Sequence, residues 1–137
     1  MLQPDNVVRT TCPYCGVGCQ IDLHVKEGVI ARVQAPFDAP PNYGKLCVKG
    51  RFGLDFVWHP DRLTMPLVRK NGELQPAQWN DALALIADRF GSIIEASGPD
   101  AIAMLCSAKC TNEENYLMQK FARQVIGTHN IDHCARL

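Results

Sequence analysis

The sequence predicts a mixed fold, α+β in its first part and α/β in its second. A small β-rich N-terminal domain is expected over residues 1–59, followed over residues 60–137 by the beginning of an α/β domain that is incomplete in this chain. Three observations carry that expectation. Ile21, Leu23 and Val25 alternate with Asp22 and His24, the period of a half-buried strand. Three cysteines fall within the eight residues Cys12–Cys19, and a fourth, Cys47, returns after 27 more. From Trp79 onward the order is helix, strand, helix, strand, the opening of an α/β sheet.

The elements follow in order. Val7 to Val33 reads as short strands, with Lys26-Glu27-Gly28 as the turn of a hairpin and Val29 to Val33 as its second arm. Ala35 to Gly44 carries Pro36, Pro40 and Pro41, so it is a loop that delivers the chain to Cys47. Arg51 to Trp58 reads as a short helix that packs Phe52, Leu54 and Phe56 or Trp58 as ordinary core. His59-Pro60 marks a boundary, because the residue before a proline is pushed away from helix. Pro66 to Pro76 is an extended linker with a turn at Asn71-Gly72.

Trp79 to about Ala96 is the clearest helix. Leu83, Ile86, Phe90 and Ile93 or Ile94 recur at three- and four-residue steps, and Gly98-Pro99 stops it. Ala101 to Cys106 is an apolar run of strand length, the pattern of a buried parallel strand. Thr111 and Glu114 form a capping-box signature for the next helix, whose face is Leu117, Phe121 and Val125. Gly127 is placed to end it in a left-handed conformation, and a strand starts from about Asn130. Ligands in such sheets bind beyond the strand C-termini, where Ser107 to Thr111 would lie.

Composition narrows the function. Fourteen basic residues balance fourteen acidic ones, so nothing in the charge would hold a phosphate backbone, and nucleic acid is excluded as a partner. No apolar run reaches the length of a membrane span. The N-terminus shows no signal-peptide core and no twin arginine, and seven cysteines, an odd number, argue against a secreted disulfide scaffold. A reducing cytoplasm is the expected compartment.

The cysteines carry the chemistry. The run Cys12-Pro13-Tyr14-Cys15-Gly16-Val17-Gly18-Cys19 can place three sulfurs on three corners of a cubane, with Cys47 closing the fourth. Thiolates suit both iron–sulfur clusters and zinc. Structural zinc sites usually pair two ligand couples, whereas here the distant half supplies one cysteine, so the spacing favours the cluster while a zinc-bound structural module stays open. Four unligated core cysteines give no reason for a tight triplet with two glycines.

These residues resemble a known family. Cys12-Pro-Tyr-Cys-Gly-Val-Gly-Cys19, then Gly44-Lys-Leu-Cys-Val-Lys-Gly50, is similar to the start of the molybdopterin oxidoreductases. Cys110-Thr-Asn-Glu-Glu-Asn-Tyr116, Gln119-Lys-Phe-Ala-Arg123 and Ile126 to Leu137 resemble, within it, the catalytic alpha subunit of formate dehydrogenases. The resemblance covers nearly the whole chain, with several motifs in the right order. It implies that Cys12, Cys15, Cys19 and Cys47 bind a [4Fe-4S] cluster. It implies oxidation of formate at molybdenum or tungsten held by two pterin guanine dinucleotides, a cofactor of the complete subunit only. It also implies that Lys49 lies between cluster and pterin. The partners it implies are the remainder of the subunit, formate, and electron-transfer subunits or another electron acceptor. Nitrate reductases and the large subunit of respiratory complex I share the cysteine pattern; Ile131 to Arg136 favours formate dehydrogenase by resemblance.

Other candidates read more plainly. A lysine beside a glycine, as Lys49 is, is by itself usually a solvated residue. Cys106 at a strand end is expected in the core, and Cys110 in a loop near cofactor but not a cluster ligand. His133 and Cys134, adjacent on a strand, would point apart and pack beneath the site. His24 is expected to be a solvated strand residue. No catalytic residue is expected within the chain; the resemblance puts a metal-ligating cysteine or selenocysteine, then a histidine, immediately after Leu137.

Overall fold

The computed structural model describes residues 3–134. The last part of the expected C-terminal motif, residues 135–137, lies outside them. Helices and small sheets alternate, and the fold is mixed α and β. Two compact units form. One takes in the chain up to Pro60, Cys106–Tyr116 and the chain from His133; the other is Asp61–Leu105 with Leu117–Asp132.

In the first unit a three-stranded antiparallel sheet runs in the order β1 (Asn6–Thr11), β2 (Gln20–Lys26), β3 (Val29–Gln34). The β2–β3 turn is set by Glu27 and Gly28, both at positive φ (50° and 78°), the twist that a two-residue hairpin needs. A bulge falls between His24 and Val25. On one face Ile21, Val33 and Leu54 pack with Cys12, supported by Tyr14, Cys19, Leu23, Ile30 and Leu46. The strand alternation is thus realised, with Ile21 only 1% exposed. Arg9 stands opposite Asp22 across β1 and β2 and bonds both its carboxylate oxygens, at 2.8 and 3.1 Å.

The stretch expected as one helix from Arg51 to Trp58 is two shorter pieces. Helix α1 (Val48–Phe52) stops at Gly53, and a single 3₁₀ turn (Asp55–Val57) follows. Only Leu54 of its apolar residues is buried; Phe52, Phe56 and Trp58 stay exposed, so the expected aromatic core is not formed. Helix α1 starts three residues earlier than expected because Cys47 adopts the extended conformation of a helix-preceding residue.

In the second unit the expected linker is itself a hairpin, β4 (Leu67–Lys70) and β5 (Glu73–Pro76), turned at Asn71 and Gly72 with φ of 52° and 87°. Helix α2 spans Trp79–Ser97 and stops at Gly98, whose φ is 81°. The apolar stripe forms at helical spacing but is not covered: Leu83 is 55% exposed, and Ala82 is the buried residue of the helix. The expected strand from Ala101 shortens to β6 (Met104–Cys106), with Leu105 82% exposed, because Pro99–Ala101 curl into a 3₁₀ turn first. Helix α3 (Asn112–Phe121) runs into one π-helical turn (Ala122–Ile126) and ends at left-handed Gly127. That turn buries Ala122 and Ile126, while Leu117 and Val125 remain outside. β7 (Ile131–His133) pairs with β6, Met104 donating to the Asn130 carbonyl at 2.8 Å. Thr128, fully buried, donates to Asp100 at 2.7 Å, and Asn130 donates to the Asp100 carbonyl at 2.8 Å, tying the end of the π turn to the residue after Pro99.

Candidate metal centre

The cysteine triplet is the loop of the β1–β2 hairpin. The ladder ends at Thr11 opposite Gln20, and the next pair, Cys12 and Cys19, closes the neck through Cys12 N–H donating to the Cys19 carbonyl at 2.8 Å. Gly18 turns at φ 71° with open space around it, so the chain needs glycine there for its backbone rather than for room.

Cys47 is brought to this loop by Asn42. That side chain is 9% exposed and fully used: its Oδ1 accepts from Gln20 N–H at 2.7 Å, and its Nδ2 donates to the carbonyls of Gln20 (3.0 Å) and Lys45 (2.9 Å). One amide therefore fastens the arm before Cys47 to the residue after Cys19. Gly50 completes the approach. A Cβ there would stand 3.2 Å from Leu46 and 3.3 Å from the Cys12 sulfur, so a bare backbone lets α1 lie against the thiol. Tyr14 donates its hydroxyl to the Gly53 carbonyl and meets Phe56 edge-on, with ring centroids 6.2 Å apart.

Cys12 and Cys19 feel the neighbouring thiols. Burial pushes Cys12 and Cys19 up, and the charges of neighbouring thiols raise them further: Cys15 and Cys47 act on Cys12, and Cys12, Cys15 and Cys47 act on Cys19. Cys47 moves the other way, because the N–H of Gly50 points at it, aided by the N–H and the ammonium of Lys49. Partial burial thus disfavours charge on Cys12 and Cys19, while the N–H groups around Cys47 favour its thiolate.

This donor set fits a four-iron cluster. All four candidate side chains are soft sulfurs, and backbone N–H groups face the most exposed of them, Cys47. Among the described residues no three His, Cys, Asp or Glu groups lie close enough to share one ion. A groove of about 480 Å³ lies nearby between β3 and α1, but it is lined by Arg32, Arg51, Phe52 and Trp58 among others and by no cysteine, so it is separate from this chemistry.

Lys49 is exposed on the first turn of α1, close enough to Cys47 for its charge to count. Cys106 and Cys110 are half-buried and are not among the thiols that perturb Cys12 or Cys19. His133 and Cys134 do not pack inward as expected: both are exposed. The Cys134 sulfur lies 3.2 Å from the Ser107 hydroxyl and accepts from Ala108 N–H at 3.4 Å; these contacts, with Lys109 nearby, lower its pKa. The expected capping box is present, Thr111 N–H donating to Glu114 at 2.7 Å and Glu114 N–H to the Thr111 hydroxyl at 3.2 Å. Sequence reasoning missed Asn42 and Asn112. Asn42 sits in a proline-rich loop with no periodicity to mark it, and Asn112 donates to the Gly16 carbonyl 96 residues away in sequence. No helix among the described residues is long and apolar enough to cross a membrane.

The sequence matches known proteins. Residues 5–59 match the family model of the molybdopterin oxidoreductase Fe4S4 domain, and residues 62–137 match that of molybdopterin oxidoreductase. Three proteins of Staphylococcus aureus, from strains MRSA252, bovine RF122 / ET3-1 and MSSA476, each carry the name "Putative formate dehydrogenase". Each is 52% identical to this chain over 128 residues, which is 93% of this chain and 13% of the relative. The chain therefore spans about an eighth of the length of the curated relatives it matches. The cysteine loop, the arm that returns Cys47 to it and the α/β segment that follows all fall within the two matched regions, and the chain belongs to the molybdopterin oxidoreductase family.

Proposed function

We propose that this chain is the N-terminal part of a molybdenum- or tungsten-dependent formate dehydrogenase, with residues 1–59 as its [4Fe-4S] domain and 60–137 as the beginning of its α/β pterin-binding domain. Formate as substrate rests on the names of the relatives and on the resemblance of Cys110 to Leu137. The observation that carries the redox reading is the hairpin loop holding Cys12, Cys15 and Cys19, with Cys47 fastened to its neck by Asn42. Cys12, Cys15, Cys19 and Cys47 would hold the cluster, which when bound accepts and passes on single electrons.

The chain's own groups divide the work. Cys12, buried, and Cys19, half-buried, fix the loop at its base. Gly50 and Lys49 direct N–H groups at Cys47 and so favour the thiolate that binds iron. The Lys49 ammonium would offset negative charge on a reduced cluster held there, which would raise its potential. In the complete subunit the reaction takes formate to carbon dioxide, releasing one proton and two electrons. Those electrons would leave through the cluster that Cys12, Cys15, Cys19 and Cys47 would hold, to an electron-transfer subunit or another acceptor, in the cytoplasm. The metal, held by two pterin guanine dinucleotides, belongs to that complete subunit.

Anaerobic reconstitution tests the reading. Iron and acid-labile sulfide in roughly equal amounts, four of each per chain, are expected for a cubane. Stoichiometric zinc without sulfide overturns it. In the complete subunit, formate-dependent reduction of an artificial acceptor is expected, and its absence from cluster- and pterin-loaded protein removes the assignment of substrate.

A further inference from the structure

The loop that carries Cys15 has a second support, from the start of α3. Asn112 donates its Nδ2 to the Gly16 carbonyl at 2.8 Å. The contact is tight as well as polar, because a Cβ on Gly16 would meet Asn112 Oδ1 at 2.5 Å. The position of Asn112 is itself pinned. Thr111 and Glu114 bond each other reciprocally around it. Asn115 then grips Ser107 on both backbone groups, accepting its N–H at 3.4 Å and donating to its carbonyl at 3.0 Å. An exposed amide would not need such bracing to satisfy itself with water. What the bracing fixes is the direction of one peptide. In a trans peptide the carbonyl and the next N–H point opposite ways, so holding the Gly16 carbonyl on Asn112 turns the Val17 N–H to the other side of the loop.

We propose that Asn112 is a positioning residue for the cysteine loop: it sets the orientation of the Gly16–Val17 peptide and thereby tunes the potential and the solvent protection of the cluster held there. The proposal rests on the cluster reading given above. Because Ser107, gripped by Asn115, also contacts the Cys134 sulfur, the same brace connects the cysteine loop to the segment at the end of β7.

Three variants separate hydrogen bonding from packing. Asn112→Asp keeps the size, replaces the donor by an acceptor, and adds a charge that a helix N-terminus favours, so the fold is retained. Asn112→Ala removes the group without adding charge. Asn112→Gln keeps the donor on a longer arm. The full chain is reconstituted anaerobically with iron and sulfide, and the cluster's midpoint potential and its bleaching rate in air are measured. Lower potentials and several-fold faster bleaching are expected for both Asn112→Asp and Asn112→Ala, with partial recovery in Asn112→Gln. Loss of cluster from a folded Asn112→Ala variant counts for the proposal as well. Wild-type potential and bleaching in Asn112→Ala overturn it, even if N112D shifts, because that shift would then be the added charge alone. Wild-type protein that takes up no iron and sulfide instead overturns the cluster reading on which the proposal stands.

Discussion

The N–H of Cys12 donates to the carbonyl of Cys19 at 2.8 Å, so two of the four candidate ligands face each other just beyond the last rung of the β1–β2 ladder, Thr11 opposite Gln20. The loop between them inherits its position from the sheet, and the sheet inherits its register from Ile21, buried directly beyond Cys19. Cys47 has no such ladder; its carbonyl accepts from Arg51 N–H at 3.1 Å, and the arm before it is held by the Asn42 side chain.

Asn42 should accordingly be the most sensitive polar residue of this unit. Asn42→Ala leaves the Gln20 N–H and two carbonyls without their partner, at a cost of about 1–3 kcal/mol for buried polar groups. Urea unfolding should show that loss, and cluster content should fall with it because the Cys47 arm is released. Asn42→Asp keeps the acceptor for Gln20 but loses both donations, so its stability should be below wild type as well. Wild-type unfolding midpoints in both variants would count against the clasp.

Two glycines in the site should respond differently to alanine. At Gly18 a methyl meets nothing, but φ is 71°, a left-handed conformation that costs an ordinary residue roughly 1–2 kcal/mol. At Gly50 the backbone is helical and the obstacle is the Cys12 sulfur at 3.3 Å, with Leu46 at 3.2 Å. Gly18→Ala should therefore lower stability while retaining cluster, whereas Gly50→Ala should displace α1 from Cys12 and lower cluster occupancy. Equal cluster content in the two variants, measured as iron per chain, would contradict this division.

How much of this was legible in the sequence depends on range. The hairpin turn at Glu27-Gly28, the turn at Asn71-Gly72, the Thr111–Glu114 box and the stop at Gly127 each arise from local chemistry, and each is where the sequence placed it. Cys12, Cys15, Cys19 and Cys47 stand out as candidate ligands by their spacing alone. The amides of Asn42 and Asn112 act on partners 22 and 96 residues away, and no periodicity marks them. The stripe of Leu83 and Ile86 on α2 was read correctly as apolar, yet its burial was not realised. A chain spanning 13% of its relatives' length supplies few elements to cover such a face.

The Arg9–Asp22 pair gives a pH dependence with a definite sign. Hydrogen bonds from Arg9 hold the Asp22 carboxyl below the ordinary range, with the charges of Arg9 and His24 adding to the effect, while Arg9 stays protonated throughout. A carboxylate whose folded pKa is depressed adds stability above its unfolded pKa of about 3.9 and loses it as pH falls through the lower folded value. The wild-type urea midpoint should therefore fall more steeply below pH 4 than that of Asp22→Asn. The difference should be small, because Arg9 is solvated, and should shrink at high salt. Parallel pH profiles for the two proteins would show that the pair contributes nothing to folding.

Lys49 makes the sharpest test of the redox reading. Its charge and N–H both act on Cys47, and the side chain is exposed on the first turn of α1. A solvated surface lysine could be exchanged freely, so Lys49→Ala and Lys49→Arg would behave like wild type. A lysine that offsets charge on the reduced cluster would not. Removing it in Lys49→Ala should lower the midpoint potential and slow reduction of the external acceptor by the complete enzyme, with the cluster still assembled, because none of the four thiols is touched. Lys49→Arg keeps the charge and should hold the potential nearer to wild type. Its planar guanidinium is broader and less compact than an ammonium, so turnover should still be impaired if the residue sits in a narrow gap between two cofactors. Potential and turnover therefore separate in the arginine variant and fall together in the alanine variant. If neither variant changes either quantity, Lys49 is a surface residue and its proximity to Cys47 serves only to favour the thiolate.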